Sequence, residues 1–269
     1  MNPPRGASFV GPLDALVAQG TTFRHASSVR RLLSSYTGPA CKLRGNGIGT
    51  LADINYLADG SLDLATAAAL AVADGGTQAL WHTAYDNAEV ANAVQATDGS
   101  QPLFGVDYEA KGAMQGAGAA RSMGMNLGTL PTPSFISVVT NLAAASGTRV
   151  ILGTTASASE FVRMNAGAAQ QSWGVTLSSA ASLAGKHLLG FLVNSTSSKN
   201  YIDGVLDGAG DAGNTFLNMS AALIGRGTSG LSLGSWFGLT GNTISEIIVF
   251  NGDPTGLAGW ADFVTAQKA

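Results

Sequence analysis

Residues 185 to 206, GKHLLGFLVNSTSSKNYIDGVL, constrain the fold more than any other stretch of the chain. From Leu188 to Asn194 six of seven positions are apolar or small, and the polar run Ser195 to Lys199 breaks that pattern as a loop after a strand does. A second short strand, Asn200 to Ile202, leads into Asp203-Gly204. Both central positions of a type I′ turn need positive φ, and Asp-Gly tolerates it well, so the chain is expected to fold back at once into Val205-Leu206. Strand, polar loop, strand, tight turn, strand is a meander, and it points to an all-β protein.

Similar signals recur at short intervals: Ser134 to Asn141, Arg149 to Gly153, Glu160 to Asn165, Ser172 to Leu177, Leu217 to Gly225 and Thr243 to Phe250. Spacing of this kind, without long helices between, predicts an antiparallel β-sandwich rather than βαβ units. The first half is less regular. Strands are expected at Leu13 to Gly20, Ala40 to Arg44, Ala79 to Tyr85 and near Ser122 to Leu127, and a long loop over 86 to 104. Short helices are expected over 27 to 36, where Val29, Leu32, Leu33 and Tyr36 share a face, over 62 to 73 after a Ser61 cap, and over 254 to 266. The N-terminal residues 1 to 12 read as an extended arm and 13 to 269 as one sandwich domain.

Charge narrows the function classes. Only 12% of the 269 residues are charged, the net charge is −3, and no basic cluster exceeds Arg30-Arg31, so nucleic acid is not an expected partner. Cys41 is alone, which excludes an intrachain disulfide. No window approaches the ~18 apolar residues of a membrane span, and MNPPRGASFVGP has no apolar signal core, so a soluble protein made in the cytoplasm is expected.

The C-terminal half, with its meander, then ALIGRG, then ISEIIVFNGD and a final helix, resembles the concanavalin A-like lectin/glucanase (laminin-G-like) jelly-roll sandwich. The N-terminal third carries SVRRLLSSYTGPACKLR, Asp53-Ile54, the helix at 62 to 73, WHTAYDN and QATDGSQPLF. In that order these resemble the start of the family 54 α-L-arabinofuranosidase catalytic domain, a segment also found in tailed-bacteriophage virion proteins. The chain departs from the enzyme pattern at three places. YDQSG is replaced by Tyr85-Asp86-Asn87-Ala88-Glu89. The general acid's place holds Arg226-Gly227-Thr228-Ser229, and for the nucleophile the only candidate is Glu160. Retaining glycoside hydrolysis needs two carboxyl groups ~5 Å apart, one ionised and one protonated, and no such pair is legible here.

Sugar recognition needs aromatic rings for C–H faces and polar groups for hydroxyls. On that chemistry the candidate carbohydrate contacts are Trp81, Tyr85, Asp86, Asn87, Asp107, Arg226 and Trp236. Glu89 is a further acid in the same loop, while Trp173 and Trp236 have a core-filling role as the alternative. Glu246, inside an apolar strand, must find a partner when buried. Asp203, Asp207, Asp211 and Asn214 are oxygen ligands in a glycine-rich loop, where Ca²⁺ competes with a simple turn role. His25, His82 and His187 form no metal signature with Cys41, and no cofactor is implied.

Together these features lead to the expectation of a non-enzymatic structural protein of a tailed-phage virion, in decoration, fibre or tail. It would contact other virion proteins, form a homo-oligomer and bind host-surface glycan. The alternatives are a glycoside hydrolase of arabinofuranosidase type and an architectural oligomer without ligand.

Overall fold

The computed structural model describes residues 9–97, 100–106, 112–115, 121–143, 148–154, 160–180, 183–213, 218–226, 234–235 and 242–268. Its strands, in chain order, are β1 (Thr22–Ser28), β2 (Cys41–Gly45), β3 (Leu51–Ile54), β4 (Ala79–Ala84), β5 (Ala93–Val94), β6 (Leu103–Val106), β7 (Gly112–Gln115) and β8 (Met123–Met125). They continue as β9 (Ser134–Leu142), β10 (Thr148–Thr154), β11 (Glu160–Asn165), β12 (Ala168–Trp173), β13 (Thr176–Ser178) and β14 (Gly185–Val193). The last are β15 (Ser198–Ile202), β16 (Val205–Gly210), β17 (Ala222–Ile224), β18 (Gly234–Ser235) and β19 (Thr243–Asn251). Three α-helices accompany them: α1 (Asp14–Val17), α2 (Leu64–Ala73) and α3 (Trp260–Lys268).

One layer runs β16-β15-β14-β9-β19-β1, antiparallel throughout. The other starts at β3-β2-β4, passes through β5 to β8, and continues β17-β10-β11-β12-β13. A β6-β7 hairpin links β4 to the start of β19, which nearly closes the sandwich. The expected all-β antiparallel sandwich is the observed fold.

The central strands are buried on both faces because they serve two cores. Ile136, Val138, Leu189, Phe191, Ile247 and Val249 point between the layers. Their neighbours Phe135, Val139, Leu188, Leu192, Ile248 and Phe250 pack outward against Leu13, Leu16, Trp260 and Phe263. A strand buried on both sides reads as a continuous apolar run instead of an alternation, which explains LLGFLV and IIVF. Gly190 in β14 is required by this packing. A Cβ there would lie 2.6 Å from the Phe135 ring.

The meander forms as expected, with Asp203 at φ 53 and Gly204 at φ 81. Several local expectations are corrected. Leu13 to Gly20 is a single helical turn rather than a strand, held by Asp14, whose carboxylate accepts Gly11 N at 2.7 Å and Ser34 N at 3.0 Å. Residues 27 to 36 are not a helix. Thr22–Ser28 pairs with β19, and the amides of Val29, Arg31 and Leu32 go to Ser245 O, Gly60 O and Asn87 Oδ1. Leu32, Leu33 and Tyr36 still bury in the outer core, so the spacing was real while the backbone was irregular.

Ser172 to Leu177 is split into β12 and β13 by Gly174 at φ 110. The cap of α2 is Asp63, which accepts Thr66 N at 3.0 Å, and Ser61 instead bonds Asp59. The expected 86 to 104 loop contains β5 and the start of β6, and the final helix begins only at Trp260. Of the expected arm, residues 1 to 8 lie outside the described residues.

Candidate functional site

Asp86 and Asn87 lie where β4 runs into the loop before β5, and both are buried. The Asp86 carboxylate accepts four backbone amides: Ala26 at 2.7 Å, Ala88 at 2.9 Å, Val90 at 2.8 Å and Ala91 at 2.7 Å. Asn87 accepts Leu32 N at 3.1 Å and donates to the Tyr56 hydroxyl at 3.2 Å. Both therefore tie the loop to β1 and to the 29 to 36 segment, and their polar atoms are already engaged. Trp81 is likewise a core side chain. It is 2% exposed, donates its indole N–H to Ala113 O at 3.0 Å and packs on Phe104.

Beside Asp86 stands a buried imidazole. A carbonyl only accepts, so His25 Nδ1 must donate to Ala91 O at 2.7 Å, and neutral His25 then accepts the Ser27 hydroxyl at Nε2, 2.8 Å away. Burial holds the imidazole below its usual pKa, against the opposing pull of the Asp86 carboxylate 4.0 Å away. Ser, His and Asp thus meet, but wholly inside the fold, where no substrate reaches them.

Solvent sees Tyr85 and Glu89. With Tyr36 they line a depression of about 260 Å³, and Tyr36 and Glu89 also wall a second one of about 530 Å³ with Phe23 and Leu33. Tyr85 donates to Asp53 Oδ1 at 2.8 Å, and burial followed by that bond pushes its phenol up to about 12. Tyr36 is also pushed up to about 12, first by burial and then by the Glu89 carboxylate. Glu89 adopts φ 59, the left-handed region that favours glycine. Tyr36 is buried in the outer core, as its spacing to Leu32 and Leu33 implied, and still lends an edge to both depressions.

The other candidates are dispersed. Arg226 follows β17 and is partly exposed, and Asp107, Trp236 and Asn214 lie outside the described residues. Trp173 fills the core at 0% exposure. Glu160 opens β11, its backbone opposite Trp173 of β12. Glu246 is buried on β19, accepting Ser28 Oγ at 2.8 Å and pairing with Arg30 Nε at 3.4 Å, and its burial raises the carboxyl pKa against the pull of Arg30.

The three loop aspartates are also committed separately. Asp203 binds His187 and Leu188 N, Asp207 takes Ala180 N, and Asp211 takes Gly213 N. Among the described residues no group of three or more His, Cys, Asp or Glu is placed to hold a metal ion. The GNGIG loop is closed by Asp74, whose carboxylate accepts Gly47, Gly49 and Thr50 amides, so that loop is filled by a side chain of its own chain.

No family model and no curated protein matches the chain. Solved structures do. An arabinofuranosidase complexed with arabinofuranosyl-α-1,2-xylobiose superposes with a TM-score of 0.66 at 14% identity, over 96% of this chain and 65% of that one. The likeness is one of fold. A glutamate-to-glutamine mutant of a GH54 α-L-arabinofuranosidase soaked with 4-nitrophenyl α-L-arabinofuranoside gives 0.62 at 14% identity, over 96% and 66%. A GH54 α-L-arabinofuranosidase soaked with a cyclic sulfate inhibitor gives 0.54 at 16% identity, again over 96% and 66%. The chain thus spans just under two thirds of the length of these structures. These matches correct the expectation of a non-enzymatic virion component. These three structures that share the fold are arabinofuranosidases.

Proposed function

We propose that the protein is a glycoside hydrolase of arabinofuranosidase type, acting on arabinose-containing glycans. The observation that carries this reading is the superposition on an arabinofuranosidase over 96% of the chain. Hydrolysis of this class uses one carboxylate at the anomeric carbon and one carboxylic acid that protonates the leaving oxygen. We assign the first role to Glu160. Most other acids of the described residues are taken up by backbone amides or a partner side chain: Asp14, Asp63, Asp74, Asp86, Asp203, Asp207, Asp211 and Glu246.

The proton donor is to be sought among the acids not committed in this way. Glu89 is exposed and makes no side-chain hydrogen bond to a described residue, and Asp98, Asp107 and Glu109 stand nearby in sequence. The test is arabinose release from soluble arabinoxylan, followed by amide substitutions at Glu89, Asp98, Asp107 and Glu109. The reading expects release by the unmodified protein and its loss in one of the four. No release by the unmodified protein contradicts it.

A further inference from the structure

A concavity at the start of the described chain is untouched by the roles assigned above. It measures about 670 Å³ and is built from residues 9 to 12, the 29 to 31 segment, the 57 to 65 turn with the start of α2, and Gly112. Its volume lies in the range of small-molecule sites, ~300–1,000 Å³. None of these segments belongs to β10, β11 or β12.

Its polar groups are held still and left partly unused. Arg31 stacks its guanidinium on the Phe9 ring, 4.0 Å from the centroid, and its backbone amide is bonded to Gly60 O at 2.7 Å. The guanidinium makes no hydrogen bond to a described residue, and its Nε is buried without a partner. Phe9 is seated by Gly60, at φ +85, where a Cβ would lie 2.1 Å from the ring. Opposite, Asp59 uses Oδ1 for Ser61 N and Oγ at 2.9 and 2.6 Å, and Oδ2 stays open. Asp63 caps α2, and the hydrogen bonds to Ser61 and Thr66 hold both carboxyls below the usual range, so both are ionised at neutral pH. Val29, Leu57 and Leu62 supply apolar wall.

The charge balance selects the ligand class. Arg30, also in the lining, is already paired with Glu246, which leaves one open cation against two carboxylates. Such a lining gives no preference for an anion. It offers fixed donors and fixed acceptors around apolar surface, which is what a sugar ring needs, since each hydroxyl both donates and accepts while the C–H face packs on carbon. We propose that this pocket binds a neutral saccharide, as a second glycan site apart from the Glu160 region. The choice of glycan rests on the hydrolase reading, but the pocket is tested separately.

The experiment is affinity electrophoresis of the full chain through gels containing soluble arabinoxylan, with polygalacturonate as the acidic control. Arg31→Met keeps the stem over Phe9 and removes the donors, and Asp59→Ala removes an acceptor at an exposed turn. The expected result is retardation by arabinoxylan, weakened about tenfold in each variant. Unretarded wild type, variants retarded like wild type, or Arg31-dependent retardation by polygalacturonate alone each overturns the pocket. Hydrolysis is read in parallel on 4-nitrophenyl α-L-arabinofuranoside. Turnover without retardation removes only the pocket, and Arg31-dependent retardation without turnover removes only the hydrolase reading.

Discussion

The Asp86 carboxylate accepts the backbone amide of Ala26 at 2.7 Å, a contact across 60 residues of sequence that fastens the loop after β4 to strand β1. Three more amides from the same loop converge on that carboxylate. Asp86→Asn replaces one acceptor oxygen by an NH₂ group facing amide donors. Hydrogen bonds to charged groups contribute about 1.5–3 kcal/mol and an orphaned buried donor costs a similar amount, so a loss of about 3 kcal/mol is expected in urea unfolding. A loss below about 1 kcal/mol would show that the carboxylate is not the loop's anchor.

His25 gives the fold an acid sensitivity. Burial lowers its folded pKa below 6.5, so the unfolded chain binds the proton more readily. Its contribution is therefore complete above about pH 6.5 and is lost as pH falls towards the lowered folded value, with a slope of up to about 1.4 kcal/mol per pH unit. Unfolding free energies at pH 5, 6, 7 and 8 should show this slope in the wild type and not in His25→Gln. Equal slopes in both proteins would assign the sensitivity elsewhere.

Asp74 titrates in the opposite sense. Its hydrogen bonds with Thr50 and the Gly47 and Gly49 amides hold its carboxyl down at about 2. The stabilisation it gives the GNGIG loop is full above the ordinary carboxylate value of about 3.9 and disappears as pH falls through about 2. The amide proton shifts of Gly47, Gly49 and Thr50 should titrate together near that lower value. A shared midpoint near 4 contradicts the arrangement.

Gly190→Ala places a methyl group 2.6 Å from the Phe135 ring in the outer core. Overpacking of this kind costs about 1–3 kcal/mol. Thermal unfolding should show the loss, and Phe135→Leu in the same chain should recover part of it. A neutral Gly190→Ala would mean that the ring moves freely, against its packing on Phe250 and Trp260.

The second half of the chain was legible because its strands follow one another and its turns carry their own chemistry, as Asp203-Gly204 does. In the first half β2, β4, β8 and α2 were also legible, but the 13 to 36 segment was not, because its backbone hydrogen bonds go to distant partners. Nothing near Ser28 in sequence announces pairing with Glu246, and nothing near Leu32 announces Asn87. The same holds for the candidate site. Residue types marked Tyr85 as a candidate contact and Glu89 as a further acid, but gave Trp81, Asp86 and Asn87 the same weight as Tyr85. Only the fold shows that these three face inward or spend their polar atoms on the backbone. The departures near Arg226 and at Tyr85 to Glu89 favoured a non-enzymatic protein, with a glycoside hydrolase as the alternative, and the structures that share the fold favour that alternative.

The central claim is tested most directly by steady-state hydrolysis of 4-nitrophenyl α-L-arabinofuranoside by the wild type and Glu160→Gln, both confirmed folded by their unfolding midpoints. The account predicts nitrophenol release by the wild type and a fall of at least about 10³-fold in kcat on removing the carboxylate. No release above the uncatalysed rate by the folded wild type, or equal rates in the two proteins, would contradict it.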